Sequence, residues 1–378
     1  MPMRLQISKT ILMTVDPIGG VWNYALELCR GLLQADVAVC LAVMGRRLST
    51  AERAAAQSIA ADVFESDFKL EWMQDPWRDV RAAGEWLLDL ESRVQPSLVH
   101  LNGYAHGSLC WQAPCLIVGH SCVYSWFESV RHKAPPAEWH RYREAVMAGL
   151  CGAKLVTAPS QFMLSQLTKH YGEFSAAEPV YNGRAHGGFR PLGKERFVLT
   201  AGRLWDPAKN VSGLASAATQ IAWPIYAAGA ASGPDGSEID LDGLQLLGEL
   251  DPITLSRWYG RAAVFASPAR YEPFGLAVLE AALSGCALLL GDIPSLREIW
   301  ADAALFVDPD DPDEIARCLT KLITDANLWA TLAREARARA LEFSSERMTH
   351  GYLALYEQLL SAAPQTIAAP PRGASVEP

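Results

Sequence analysis

The stretch YEPFGLAVLE, residues 271–280, places Glu272 before a Pro-Phe-Gly break and Glu280 eight positions later. Pro273 and Gly275 stop any helix arriving from upstream, so a helix is expected to begin near Gly275 with Glu272 just outside it. The free N–H groups of its first turn would point outward beside Glu272, where phosphate or sugar oxygens bind well. On a continuous helix, eight positions turn the chain by about 80° beyond whole turns. The two carboxylates would then suit different parts of one extended ligand. Taken alone, an acid pair at this spacing reads first as a helix cap and a solvated residue; the surrounding EPFG makes this instance more specific.

Three further stretches carry groups of the same kind. In AGRLWDPAKN (201–210) a strand is expected to end at Gly202. Arg203 follows at its C-terminal end, and Lys209 and Asn210 come where a helix should start. A planar guanidinium and an ammonium at such a place suit a diphosphate, or pair with surface acids. In GGVWNYALEL (19–28), Gly19 and Gly20 separate a strand from a helix and permit close backbone approach to a ligand, or form a tight turn only. The stretch lacks GxGxxG and GxxxxGK[ST], which excludes a dinucleotide or P-loop reading. His120 closes the strand CLIVGH and is followed by Ser121. There it could bond a substrate hydroxyl or relay a proton, or serve as a structural histidine; His100 and His106 are weaker candidates. Two acidic runs, DLD (240–242) and DPDDPDE (308–314), resemble metal-binding DxD sequences. The second reads as acids enriching a helix N-terminus, the first as a loop, and no metal ligands are assigned. No Ser-His-Asp order or HExxH motif appears.

The elements that must position these groups alternate regularly. Apolar runs at 11–15, 37–43, 97–102, 115–120 and 154–159 read as strands, with helical patterns between them, one starting near Ser49. A polar, Gly-containing stretch at 185–195 reads as a linker. Strand candidates resume at 197–202, 223–229, 244–248, 262–268, 286–292 and 303–308, and a helical tail covers roughly 311–361. Fully apolar strands alternating with helices imply parallel sheets covered on both faces. The fold class is therefore α/β, with two doubly wound Rossmann-like domains facing across a cleft, at 1–184 and 196–344. Ligands bind in such a crevice, at strand C-terminal ends and helix N-termini. Residues 362–378 are rich in Pro and Ala and are expected to be disordered.

Composition narrows the classes. The chain has 378 residues, half of them hydrophobic, and a formal net charge of −9. That balance argues against a broad grip on nucleic acid. No apolar run reaches the roughly 18 residues of a membrane span, and the first residues read as strand, not as a signal peptide. The eight cysteines are scattered, without CxxC or zinc spacing, and read as reduced, buried thiols of a cytoplasmic protein. Basic residues with Trp139 and Tyr142 in 131–150 give either a solvated helix face or a surface that rests on the inner face of a membrane.

Together these motifs resemble the retaining glycosyltransferases of family 4, which have the GT-B fold. The resemblance runs over roughly residues 10–360 and rests on GGVWNYALEL, GHS, TAPS, YNG, GRLWDPAKN and YEPFGLAVLEAALSGCALLLGDIPSLREI in that order. It implies a nucleotide-diphosphate sugar as donor substrate, no separate cofactor, no metal, and a saccharide or lipid-linked saccharide as acceptor. Glu280 would bind the ribose hydroxyls, and Glu272 hydroxyls of the donor sugar. The backbone at Phe274, Gly275 and Leu276 would meet the sugar or diphosphate. Arg203 and Lys209 would stabilise the leaving diphosphate, His120 would touch the sugar near the reacting carbon, and Gly19 and Gly20 would let backbone approach the diphosphate. The backbone near Gly248 and Glu249 would meet the base. A last helix, roughly 345–361, would cross back onto the N-terminal domain. The loop before Lys209 is about one residue longer than the family's and adds Trp205, and region 45–95 on the acceptor side carries no family motif. A phosphorylase or epimerase on the same fold would differ in its reaction. A silent scaffold would have no need to keep Arg203, Lys209, Glu272 and Glu280 together.

Overall fold

A computed structural model of the chain describes residues 9–17, 19–174, 176–233 and 239–362. The first half runs β1 (Lys9–Val15), α1 (Gly20–Gln34), β2 (Val37–Val43), α2 (Thr50–Gln57), β3 (Asp62–Glu65), α3 (Trp77–Val94), β4 (Leu98–Leu101), β5 (Cys115–Val118), α4 (Val123–Arg131), α5 (His140–Gly152), β6 (Leu155–Ala158), α6 (Gln161–Tyr171) and β7 (Ala177–Pro179). The second runs β8 (Glu195–Ala201), α7 (Val211–Ala218), β9 (Ile225–Ala228), β10 (Gln245–Gly248), α8 (Pro252–Arg261), β11 (Ala262–Ser267), α9 (Leu276–Leu283), β12 (Ala287–Gly291), α10 (Pro294–Trp300), β13 (Leu305–Val307), α11 (Pro312–Thr324), α12 (Ala326–Ala340) and α13 (Ser345–Ala362).

The strands form two wholly parallel sheets, ordered β3-β2-β1-β4-β5-β6-β7 and β10-β9-β8-β11-β12-β13. Both reverse direction beside their first strand, between β1 and β4 and between β8 and β11, the switch points where such sheets open a crevice. Core strands such as β2 and β12 are buried nearly throughout. That is why they read as continuous apolar runs. Two strands escape the sequence pattern. Both are sheet edges: β3, DVFE, is exposed to half-buried, and β7, AEP, has only three residues. An edge strand needs no unbroken apolar run, and edges tolerate charge and Pro.

The helical tail is three helices. Asp325 ends α11 and caps α12, and a non-helical turn at 342–344 precedes α13. Met348, Tyr352, Leu355, Tyr356 and Leu359 of α13 join the buried cluster of β1, α1 and β2. Gly31 of α1 makes room for this crossing, since a Cβ there would stand 2.0 Å from Thr349 Oγ1. The crossovers between the halves run side by side, with Arg184 N bonding Phe343 O and Ser345 N bonding Arg184 O. Beside them Tyr181 packs on Phe343 at 5.8 Å. The residues expected to be disordered, from 363 onward, lie outside the described residues, and Ala362 is the last residue of α13. All eight cysteines are free thiols. Five are buried, but Cys110 and Cys151 are exposed, contrary to the expectation of uniformly buried thiols. No helix among the described residues is long and apolar enough to cross a membrane.

Substituting Gly31→Ala should destabilise the chain by about 1–3 kcal/mol through overpacking, with partial recovery in Gly31→Ala/Thr349→Ala. Urea unfolding of the two variants measures this, and equal loss in both would mean that α13 does not press on α1 at this point.

Candidate functional site

The cleft is floored by two helix N-termini, one from each half. α1 starts after Gly19 at φ 91°, and α9 after Gly275 at φ 91°. A side chain is strained at such φ values, so glycine is the residue that turns the chain here. Elsewhere, Ser49, Ser160, Asp251, Asp311 and Asp325 cap their helices with side-chain oxygens. Among the described residues no side chain caps α1 or α9, so their first N–H groups stay available, with the positive end of each helix dipole behind them. The two ends meet. A Cβ on Gly20 would stand 3.8 Å from Leu276 Cδ1, and one on Gly19 would stand 3.2 Å from Arg203 Nη1.

Arg203 follows the C-terminal end of β8. Asp206 Oδ2 accepts from its Nη2 at 2.8 Å, and the guanidinium lies over Trp205. Asp206 itself is buried, its Oδ1 accepting from Ala208 N at 3.0 Å and from Trp126 Nε1 of α4 at 3.4 Å. The longer loop with its added Trp therefore builds a bracket for Arg203. Lys209 sits in a turn of 3-10 helix, and its Nζ donates to Glu272 Oε2 at 2.5 Å. Asn210 is structural, with its amide bonded to the carbonyls of Pro268 and Pro309.

Two expectations for the acid pair are corrected. Glu272 lies before the Gly275 kink and caps no helix, so the angular offset of a continuous helix does not apply to it. Glu280 is not on a solvated face: it is buried on α9. Its Oε1 accepts from Arg184 Nη2 at 2.8 Å, and the same guanidinium reaches Glu27 Oε2 of α1 at 3.1 Å. Burial raises the Glu280 carboxyl above its ordinary range, with Arg184 pulling the other way. Phe274 commits its ring to the core against Phe343 at 5.6 Å, which leaves only its backbone to meet a ligand. The turn bearing it is pinned from both sides, since Ser160 Oγ donates to Pro273 O at 2.7 Å and Ser295 Oγ to Glu272 O at 2.6 Å.

His120 lies two residues beyond β5, its ring 4.6 Å from that of Tyr24 on α1. Its Nε2 lies 2.8 Å from Asn102 Oδ1. Burial drops its pKa to about 3, and the same cause, aided by His120, brings His100 to about 3. His106 bonds the Val80 carbonyl through Nε2 and is structural. Ser121 faces the other half, its Oγ 3.2 Å from the Tyr271 hydroxyl, which also meets Ser125 Oγ at 2.8 Å. In the run 308–314, Asp311 caps α11 and Asp310 pairs with Arg270.

The structure thus brings Gly19, Gly20, Arg203, Gly275 and Leu276 to one place and pairs Lys209 with Glu272. It sets His120 on the wall formed by Tyr24 and diverts Glu280 to Arg184. Sequence reasoning missed Arg184, Asp206 and Asn102. Asp206 had a local signal, an acid directly before Pro207 at a turn. Arg184 and Asn102 had none, because their partners are far away in the chain.

Residues 18–184 match the family described as Glycosyltransferase Family 4, and residues 195–325 that described as Glycosyl transferases group 1. The chain is 26% identical over 252 residues to O-antigen chain mannosyltransferase B of Escherichia coli, covering 59% of this chain and 66% of that one. It is 32% identical over 146 residues to D-inositol 3-phosphate glycosyltransferase of Salinispora arenicola, covering 34% and 33%. The chain therefore spans just under two thirds of the first relative and a third of the second. Its fold is similar to that of sucrose-phosphate synthase from Thermosynechococcus elongatus, with TM-score 0.77, 19% identity and coverage of 94% and 100%. It is also similar to Anabaena HepE, solved with UDP and glucose, with TM-score 0.73, 17% identity and coverage of 93% and 100%.

Two measurements follow from this geometry. Arg184→Met leaves the buried Glu280 without its cation, while Glu27 keeps Arg30 at 3.8 Å and the Ala185 N–H at 3.0 Å, and should cost about 3–5 kcal/mol in urea unfolding; a loss near zero would mean that Glu280 is solvated. His100 and His120 stay neutral in the folded chain, whereas free histidines protonate near 6.5. The unfolded chain then binds more protons, so stability should fall as pH drops from 6.5 toward 3. Between pH 7 and 5 the fall should be visible in the wild type and shallower in His100→Gln.

Proposed function

The chain belongs to the family 4, group 1 glycosyltransferases, and from that premise we propose that it moves a sugar from a nucleotide-diphosphate sugar to a saccharide or lipid-linked saccharide acceptor. One observation carries the reading. Two uncapped, glycine-started helix ends face each other across the cleft, with Arg203 beside Gly19. Such ends, with a guanidinium between them, suit a diphosphate, whose charge grows as it leaves. The positive charge needed there is supplied by this chain's own groups, which favours a reaction without a bound metal.

The other groups fit along an extended donor. Glu272 keeps its second oxygen and Lys209 its remaining N–H donors, since their mutual bond uses one of each. Glu272 can therefore hold sugar hydroxyls while Lys209 reaches toward the diphosphate. Glu280 lies on α9, beyond the Gly275 kink from Glu272, and serves the ribose. His120 faces the sugar from the N-terminal half. In the proposed reaction the acceptor hydroxyl attacks on the face that the diphosphate leaves. The departing phosphate takes up the acceptor's proton, and the anomeric configuration is retained. The enzyme would work in the cytoplasm, against the inner face of a membrane when its acceptor is lipid-linked.

Calorimetry of a nucleotide-sugar panel in EDTA should find saturable binding of one donor. Glu280→Gln should weaken that binding about tenfold. Arg203→Ala should slow turnover at saturating donor by about 100-fold or more, with anomeric retention read by NMR of the product. Full activity in both variants would sink the site assignment. Release of sugar phosphate that depends on added phosphate would indicate a phosphorylase.

A further inference from the structure

Behind His120 lies a polar chain that the donor reading does not use. Asn102, one residue past β4, donates from Nδ2 to the Thr14 carbonyl at 2.7 Å, and its backbone N–H donates to Thr14 Oγ1 at 2.9 Å. A carbonyl can only accept, so the amide group of Asn102 has one orientation, with Oδ1 turned toward the histidines. Oδ1 can only accept in its turn. His120 Nε2, 2.8 Å away, must therefore carry a hydrogen. His100 Nε2 stands 3.3 Å from the same oxygen and 3.3 Å from the Tyr24 hydroxyl. On the far side, His100 Nδ1 is 2.7 Å from the hydroxyl of Tyr356, on α13. His100 is fully buried, and a neutral ring with its hydrogen on Nε2, shared by Asn102 Oδ1 and the Tyr24 oxygen, and with Tyr356 donating to Nδ1, gives both ring nitrogens a partner.

His120 is fixed in the same way. Its Nε2–H is spent on Asn102, and the neutral ring leaves Nδ1 bare. Among the described residues no bond to Nδ1 is formed, and His120 as a residue is half-buried. We propose that Asn102 and His100 are positioning residues that hold His120 in one neutral form, protonated at Nε2 and bare at Nδ1, so that the site takes a donor whose sugar offers a hydroxyl hydrogen to that lone pair. The choice of ligand rests on the donor reading above; the hydrogen-bond chemistry does not. A neutral hydroxylated sugar is accepted at this point. A sugar presenting only acceptor oxygens there, such as a uronate carboxylate, meets lone pair against lone pair and is rejected. Tyr356 ties this wall of the site to α13, the helix that crosses from the other half.

The test uses the full chain labelled with histidine-15N, with the His120 signals assigned by their loss in His120→Gln. At pH 7 the wild type should show Nδ1 of His120 as an unprotonated ring nitrogen and Nε2 as a protonated one. A hydrogen on Nδ1, or on both nitrogens, overturns the proposal. Asn102→Ala should release His120 into a mixture of tautomers. Asn102→Asp loses the donor to the Thr14 carbonyl but keeps an acceptor toward His120, so it should hold the Nε2 hydrogen and bring His120 into a visible titration, because a carboxylate favours the imidazolium. An unchanged His120 in both variants overturns the role of Asn102. Binding of UDP-glucose, GDP-mannose and ADP-glucose is then compared with that of free UDP, GDP and ADP. Asn102→Asp should weaken the sugar form about tenfold and the free diphosphate by less than about twofold. Equal weakening of both, or of neither, overturns the link to the sugar. If none of these ligands binds the wild type while the nitrogen spectra come out as expected, the donor reading fails and the positioning of His120 stands.

Discussion

The guanidinium of Arg184 joins one helix of each half of this protein. The backbone of Arg184 lies in the segment that leaves the first domain and bonds the returning segment at Phe343 and Ser345. Its side chain reaches Glu27 on α1 and Glu280 on α9. These are the two helices whose open N-termini form the cleft floor. Both carboxylates are buried and share the Arg184 guanidinium, with Arg30 a second and more distant partner of Glu27 at 3.8 Å, so separating them leaves Glu280 a buried charge without its cation. The relative placement of α1 and α9, and so the distance between Arg203 and Gly19, follows from this junction.

Five helices, α2, α6, α8, α11 and α12, start the way soluble helices often do, with a Ser or Asp side chain answering the first free N–H groups. α1 and α9 do not. The chain enters each through a glycine at positive φ, and no described side chain covers the end. Leaving two helix ends open costs stability that a cap would have contributed. The switch points of the two sheets put both ends at strand C-terminal edges facing one crevice. A chain with a net charge of −9 thereby makes a small positive spot without a basic surface.

Several residues inside the family motifs, beside those read as ligand contacts, fasten the domains. Ser121 meets Tyr271, Ser160 bonds the Pro273 carbonyl, and Glu298 of α10 accepts from Gln161 N and Phe162 N at the start of α6, at 2.8 Å each. The turn that carries Glu272 is therefore braced by the opposite domain. The short segments that carry the candidate site thus also carry contacts between the two domains.

Much of this was legible in the residue order. Apolar runs alternating with helical patterns imply two parallel sheets, because buried parallel strands are apolar on both faces. Glycines at 19 and 275 mark the two open helix starts, because only glycine sits easily at positive φ. What stayed hidden depends on partners distant in the chain. The edge strands β3 and β7 are too short and too exposed for a periodic signal. Arg184 gains its meaning from Glu27 and Glu280, and His100 from Tyr356, 256 positions away. Local sequence sets backbone conformation and which faces are apolar. Which charge meets which carboxylate, and which nitrogen of a histidine keeps its hydrogen, is decided only when the packed domains bring those atoms within hydrogen-bonding distance.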